Sequence, residues 1–296
     1  MIKIFRAIRH YLRMRKIRRR NRSLGVDIVL TIFLAFFGLF SLFPLWMIII
    51  NAFKPMSEVF VFPPRIFVEN PTINNFFDLG AIIEEFDIPF SRYAFNTVFI
   101  TALGTFGTVL LGSMAAFPLA KYEFPGSKFM SQLIVYSLMF SGSVTAIPNY
   151  FIMSGLGLID THWAIVLPAV GGTLGLYLMK NFMVQIPDEL LEAAKIDGAN
   201  EMQTFFGTVM PLCKPAWITV IIFSVQGLWG NGGGVFIYSE ELKPLSYVLS
   251  QIVGSGIART GVSSVVSLIM IIVPIAVFVI SQSNVMETMA SSGMKG

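Results

Sequence analysis

Apolar runs long enough to cross a bilayer alternate with shorter polar connections along the whole chain. Averaged over a window of about 19 residues, they form six spans near 27–51, 95–119, 129–150, 162–182, 216–235 and 262–283. About 20 apolar residues carry a helix across the hydrocarbon core, where only a helix or a closed barrel satisfies every backbone group. Runs of this length and composition predict helices, hence an all-α integral membrane protein. The fifth is the least regular. Its clean stretch from Ala216 to Leu228 meets Trp229-Gly230-Asn231-Gly232-Gly233-Gly234, which should unwind a helix. Such a break is tolerated at membrane depth only where protein or a wet cavity surrounds it. Pro44, Pro168 and Pro274 fall inside their spans and are expected to kink them.

Composition agrees with this pattern. Of 296 residues, 55% are hydrophobic and 13% charged, with a mean hydropathy of +0.73. Soluble domains carry about twice that charged fraction, and a soluble bundle would need charged helix faces that this chain lacks. Lysine and arginine set the orientation. Residues 1–24 hold ten, the 120–128 loop two, the 180–215 loop three and the C-terminus one. The alternate connections hold Lys54, Arg65, Arg92, Lys243 and Arg259. By the positive-inside rule both termini are expected in the cytoplasm. The outer loop 54–93 is long and acidic, with Glu58, Glu69, Asp78, Glu84, Glu85 and Asp87; a soluble partner or plain solvation explains those charges equally well.

Residues 1–24 have no signal-peptide pattern, because the apolar run that follows is too long and lacks a small-residue cleavage site. Arg6, Arg9, Arg13, Lys16 and Arg20 share one helical face, with Ile4, Phe5, Ile8, Tyr11 and Leu12 on another. That spacing predicts a basic amphipathic helix lying on anionic membrane lipid; a disordered basic tail that only sets topology is the alternative. Cys213 is the single cysteine, so no intramolecular disulfide forms. His10 and His162 have no ligand partners at recognisable spacing and read as interfacial polar residues.

The chain contains no GxxxxGK[ST] phosphate loop, no nucleophile elbow and no HExxH metal motif. Span centres carry no Glu, Lys or Arg, which argues against a proton- or sodium-coupled carrier. The energy for transport must then come from another polypeptide. The unusual segment is 183–215, which contains Ile186-Pro187-Asp188-Glu189-Leu190-Leu191-Glu192-Ala193-Ala194-Lys195-Ile196-Asp197-Gly198-Ala199 and then Phe205-Phe206, Pro211 and Pro215. Pro187 can open a helix, with Asp188, Glu189 and Glu192 near its positive N-terminus. Leu190, Leu191, Ala194 and Ala193 give it a face of small and aliphatic residues. Asp197-Gly198 supplies a turn, since glycine accepts positive φ without steric cost. A short helix, a sharp turn and a second helix make a rigid knob slim enough for a partner's groove.

Here the sequence resembles the permease subunits of binding-protein-dependent ABC importers, which share a cytoplasmic EAA---G loop followed by a proline-bounded exit. Glu192-Ala193-Ala194, Gly198, Pro211 and Pro215 match that pattern. Further positions are similar to its carbohydrate (MalG-like) branch. Ala120, Lys121, Tyr122, Phe124, Pro125 and Gly126 follow the second span. Leu158, Asp160, Thr161, Ala164, Leu167 and Pro168 lead into the fourth. Gln282, Gly293, Lys295 and Gly296 lie at the end, one spacer residue short of the branch pattern. Trp229 and Asn231 stand where the branch often has Trp-Asn, with Gly230 between them here. A scaffold or an intramembrane enzyme would leave the 186–215 pattern unexplained.

The resemblance implies a six-transmembrane-helix type I ABC importer permease fold, with 25–296 as the permease domain and 183–215 as a cytoplasmic coupling loop. It implies a second homologous permease subunit, two ATPase subunits that bind the ATP and Mg, an external substrate-binding (lipo)protein and a bacterial plasma-membrane location. It implies no cofactor in this chain, no catalysis by it and no nucleic-acid partner. Glu192, Ala193, Ala194, Asp197, Gly198 and Ala199 would dock in the ATPase, and the Gly293–Gly296 tail either reaches that interface or frays. The cargo implied is a carbohydrate, an oligosaccharide first; a polyamine or sulfonate is the alternative. Phe140, Ser141, Asn149, Tyr150, Trp229 and Asn231 are candidates for the substrate path, since sugar sites combine aromatic rings with amides and hydroxyls. Against this, aromatic residues at span ends commonly belong to the interfacial belt. Gly104, Gly107 and Gly112 read as close-packing positions.

Overall fold

The computed structural model describes residues 24–84, 88–254 and 260–292, with side chains at 25–84, 88–254 and 260–282. The basic segment before Leu24 and the Gly293–Gly296 tail lie outside them, as do Glu85, Asp87 and Arg259. The described residues form helices, turns and connecting segments, without a strand. Four helices are long and apolar enough to cross a membrane, and six spans result if each of two bent helix pairs counts as one. The chain divides into two units, 1–50 and 51–296.

The first unit contains most of helix α1 (Leu24–Phe53), which has Pro44 inside it. Its 30 residues reach about 45 Å at 1.5 Å per residue, more than the roughly 30 Å of hydrocarbon. Large apolar side chains are exposed all round it, among them Ile32, Phe36, Leu39 and Phe43, as suits a helix whose solvent is lipid.

The second unit is built around α4 (Phe90–Lys121), 32 residues long. Its buried positions recur at three- and four-residue steps, and apart from Tyr93, Ile100 and Phe117 they are small or polar: Asn96, Thr97, Thr101, Gly104, Thr105, Thr108, Gly112, Ser113 and Ala116. Lipid tails are as apolar as leucine, so close backbone approach and hydrogen bonds drive helix association here. α4 packs against α7 (Trp163–Val170), α8 (Thr173–Val184) and α12 (Lys214–Trp229). A Cβ at Gly104 would lie 2.5 Å from Cδ1 of Leu228, and one at Gly107 would lie 2.6 Å from Cγ2 of Val170. Gly112 differs from that close-packing expectation, because a Cβ there would meet nothing within 4 Å. The Thr108 hydroxyl donates to the carbonyls of Gly104 and Ala169, tying α4 to α7.

Two predicted spans are bent. The stretch 129–150 falls on α5 (Ser127–Ser137) and α6 (Gly142–Gly155), which meet at 115°. In the 216–235 stretch α12 ends at Trp229; Gly233 and Gly234 then take positive φ values of 83° and 50° in the loop that follows. On its other side α12 meets the segment 201–212 at 78°. Pro168 lies in α7, which stops before Gly171 and Gly172, and Pro274 lies inside α14 (Thr260–Ser292). Shorter helices α2 (Met56–Val59), α3 (Asn74–Glu84) and α13 (Leu245–Gly254) pack with α14 around Tyr93, Val248, Ile252 and Val265. The acidic 54–84 connection is partly structural. The Glu58 carboxylate is buried and accepts from the backbone N–H groups of Glu69 and Asn70, and Glu69 itself pairs with Arg65. Asp78 and Glu84 remain exposed.

Candidate coupling loop and substrate path

Pro187 caps α9 (Asp188–Ile196), leaving the extended conformation at φ −59° and ψ 137° and placing Asp188 and Glu189 in the first turn. The helix closes in a Schellman turn. Gly198 takes φ 86° and donates its N–H to Lys195, while the Ala199 N–H reaches back to Ala194, each at 3.0 Å. Asn200 then opens α10 (Glu201–Thr204) in a capping box with Gln203, with reciprocal bonds of 2.9 and 2.8 Å. A π-turn over Phe205–Val209 and the short α11 (Met210–Leu212) lead to Cys213 and α12. Glu192, Ala193, Asp197 and Gly198 are exposed, and Ala194 and Ala199 half-buried. Leu191 is not part of the outward face: it points into a core with Phe117, Met179, Met183 and Phe205. Leu190, Ile196, Met202 and Phe206 are the large apolar side chains left exposed on this knob.

The knob is fastened to the C-terminal end of α4. Lys121, its side chain only 5% exposed, donates to the carbonyl of Ile186 and pairs with Asp188 at 2.7 Å. The Tyr122 hydroxyl donates to Glu201, and Lys195 pairs with the other Glu201 oxygen at 3.1 Å. Lys195 also lies 5.3 Å above the Tyr122 ring, which stands edge-on to Phe117. Hydrogen bonds from Tyr122 and Lys195 hold the Glu201 carboxyl below its ordinary range, and the bond to Glu201 raises Lys195.

The N-terminal end of α4 carries a second fastening, to the segment after the glycine run. The Asn96 amide donates to the carbonyls of Glu241 (2.8 Å) and Lys243 (3.0 Å). Thr97 accepts the Leu245 N–H at 2.7 Å, Tyr93 donates to Glu240 at 3.0 Å, and Arg92 donates to the Glu241 carbonyl at 3.1 Å. Asp160, at φ 62°, accepts the N–H groups of Tyr238 and Ser239, each at 2.8 Å, and the Ser239 hydroxyl. The Ser239 hydroxyl, then the Ser239 and Tyr238 N–H groups, keep its carboxyl below the usual range.

The path candidates do not form one cluster. Phe140 is exposed, and Ser141 lies at the break between α5 and α6. Asn149 and Tyr150 are half-buried on α6, and the Tyr150 hydroxyl meets that of Tyr238 at 2.9 Å. Trp229 donates to the Met270 carbonyl at 3.0 Å and so helps to pack α12 on α14. Asn231 accepts the Gly233 N–H at 2.8 Å and lines a cavity of about 380 Å³ among α4, α7, α8 and α12. Among the described residues no group of three or more His, Cys, Asp or Glu is placed to hold a metal ion.

No family model matches the chain. It is 33% identical over 234 residues to Protein LplC of Bacillus subtilis (strain 168), a match covering 76% of this chain and 75% of the relative. It is 31% identical over 239 residues to the polygalacturonan/rhamnogalacturonan transport system permease protein YtcP of the same organism, covering 77% and 78%. The chain belongs to the ABC importer permeases. The permease also has the fold of a chain in the crystal structure of a bacterial ABC transporter involved in the import of the acidic polysaccharide alginate. There the TM-score is 0.74 and the identity 23%, over 88% of this chain and 98% of that one.

No local pattern in the permease marks the roles of Lys121, Tyr122 and Asp160, because their partners lie 65 to 79 residues further on. Nor does one mark Phe223, which α12 leaves exposed together with Gln226. The signal for Gln226 was present, as an amide inside an apolar run.

Proposed function

We propose that this permease forms half of the translocation path of an ATP-driven, binding-protein-dependent carbohydrate importer. The knob around Glu192 is its docking element for separate ATPase subunits. The observation that carries this reading is the knob itself: a helix opened by Pro187, a Schellman turn and a second, capped helix, exposed at Glu192, Ala193, Leu190 and Ile196 and fastened to the end of α4. A knob fastened to the end of a 32-residue helix can carry a push from a docked partner toward the membrane interior. The cargo follows from the relatives, since YtcP is named for polygalacturonan and rhamnogalacturonan transport; an oligosaccharide is the expected form. ATP and Mg belong to the ATPase subunits, and this chain carries no cofactor. A second homologous permease and an external binding protein complete the assembly. The knob faces the cytoplasm together with both termini, in agreement with the Lys/Arg distribution, and the assembly lies in a bacterial plasma membrane.

The complex reconstituted with its ATPase subunits tests the reading. Gly198→Val forces a β-branched side chain to φ 86°, and Glu192→Ala removes the exposed carboxylate at the knob. Both variants should insert normally and lose substrate-stimulated ATP hydrolysis and uptake together. Normal uptake coupled to normal hydrolysis in both would overturn the docking role.

A further inference from the structure

α12 buries Ala216, Ile218, Val220, Ile222, Val225 and Leu228 against its neighbours. Towards its C-terminal end it leaves Phe223, Gln226, Gly227 and Gly230 exposed, with Thr219 half-exposed one turn before them. These positions recur at three- and four-residue steps, so they form one stripe along the helix. The exposed face of α14 is composed differently, with Ile272, Ile275, Phe278, Val279 and Ile280, as a lipid contact requires. An amide in hydrocarbon loses its hydrogen bonds to water and gains none, at a cost of several kcal/mol. Gln226 has no hydrogen-bond partner among the described residues, so a lipid contact would leave the whole amide unsatisfied.

The stripe borders the cavity of about 380 Å³, which Val220, Phe223, Ser224, Gly227 and Leu228 of α12 line together with Asn231 just beyond the helix; Gln226 stands outside it. Packing inside the chain does not account for the glycines, because a Cβ at Gly227 would meet nothing within 4 Å. They recess the surface between an aromatic ring and two amides. The Asn231 oxygen already accepts from Gly233, which leaves its NH₂ as the donating group.

We propose that this stripe is the saccharide track of the permease: Phe223 takes the apolar face of a sugar ring, and Gln226 and Asn231 bond its hydroxyls as it passes. The inference rests on the carbohydrate reading above and assigns it to particular residues. Neutral amides suit a track better than charges, because each bond is modest and a passing sugar exchanges it for the next one.

The test uses the full complex in vesicles, carrying Cys213→Ala and single cysteines at Gln226, at Gly230 or, as the lipid-facing control, at Ile272. A membrane-impermeant trimethylammonium thiol reagent is applied in the ATP-free and the vanadate-trapped states. Positions 226 and 230 should react in at least one state, position 272 in neither, and the attached cation should abolish uptake. Binding protein loaded with a labelled oligosaccharide should slow labelling at 226 several-fold during turnover. Gln226→Leu should lower the maximal oligosaccharide uptake rate about tenfold, the equivalent of about one lost hydrogen bond. No reaction at 226 and 230 in either state, in a complex that still imports, would assign the stripe to the contact between permease subunits and overturn the track. Equal reaction at 226 and 272 would overturn it as well. Labelling without protection by any saccharide, in a complex that imports none, would reject the carbohydrate assignment. Hydrolysis stimulated by the loaded binding protein would then show whether the permease reading itself survives.

Discussion

At its N-terminal end α4 offers Asn96 and Thr97, fully buried and neutral, to backbone carbonyls and an N–H of the 241–245 segment. At its C-terminal end it offers Lys121 and Tyr122, which meet Asp188, Glu201 and the Ile186 carbonyl. The Asn96 and Thr97 bonds join neutral buried groups to the main chain, so ions reach only the flanking Arg92 and Tyr93–Glu240 contacts. The C-terminal fastening relies on long side chains and exposed partner carboxylates, which keep a contact while the geometry shifts and which ions screen. The contrast places the fixed end of α4 away from the knob and the adjustable end beside it. An element that receives a push from a docked partner needs that arrangement.

The largest effect should come from the fixed end. Asn96→Leu leaves the Lys243 carbonyl without its donor and the Glu241 carbonyl with Arg92 alone, and an unsatisfied acceptor shut away from water costs about 1–3 kcal/mol. Thermal unfolding of the purified complex should show a larger drop than any single change at the other end; an equal drop there would dissolve the distinction. Lys121→Met comes next. It deprives one carbonyl, that of Ile186, and an exposed carboxylate, so the midpoint should fall by less, while the ratio of sugar imported to ATP hydrolysed falls further than for Asn96→Leu. A proportional loss of both activities would make Lys121 a folding residue and nothing more.

Glu201→Gln should hardly move the unfolding midpoint, because Glu201 and Lys195 are exposed and glutamine can still accept from the half-buried Tyr122. Its mark is salt dependence. Hydrogen exchange across 195–204 should speed up with ionic strength in the parent and less steeply in the variant, which keeps only the Lys121–Asp188 pair; the same slope in both would contradict a screened contact. pH should have the smallest effect. Asp160 and Glu201 are both held below the carboxylate range, so what they contribute is present above the unfolded value near 4 and is lost only as pH falls through the lower folded values. Lys195 is raised, so its share persists through the ordinary lysine range and disappears above it. The knob end should therefore loosen at both extremes, and the Asp160 contact only in acid, as exchange at Tyr238 and Ser239 would show.

Much of this was legible in the residues. Length and hydropathy mark the long helices, because the bilayer imposes one requirement on every span. The glycine run marks the end of α12, and Asp197-Gly198 marks the Schellman turn, because left-handed backbone has few tenants. The bend between α5 and α6 was hidden, since Leu138-Met139-Phe140-Ser141 stays apolar enough to read as helix. The fastenings of α4 were hidden for another reason. Asn96 meets carbonyls 145 and 147 residues away, and no local pattern encodes a partner at that distance. Gln226 lay between these cases: its polarity was visible, and the side of the helix it occupies was not.

The π-turn at Phe205–Val209 has a consequence for chain length. Such turns hold one residue more than the α-helix they interrupt, as a single inserted codon would leave. Excise one residue there and the backbone can relax into regular helix while the segments on either side keep their faces. Phe205 and Val209, both in the core, would then stand three apart and still share one side of the helix. A deletion can be absorbed at this turn, whereas in a regular stretch it would rotate everything beyond it by about 100°.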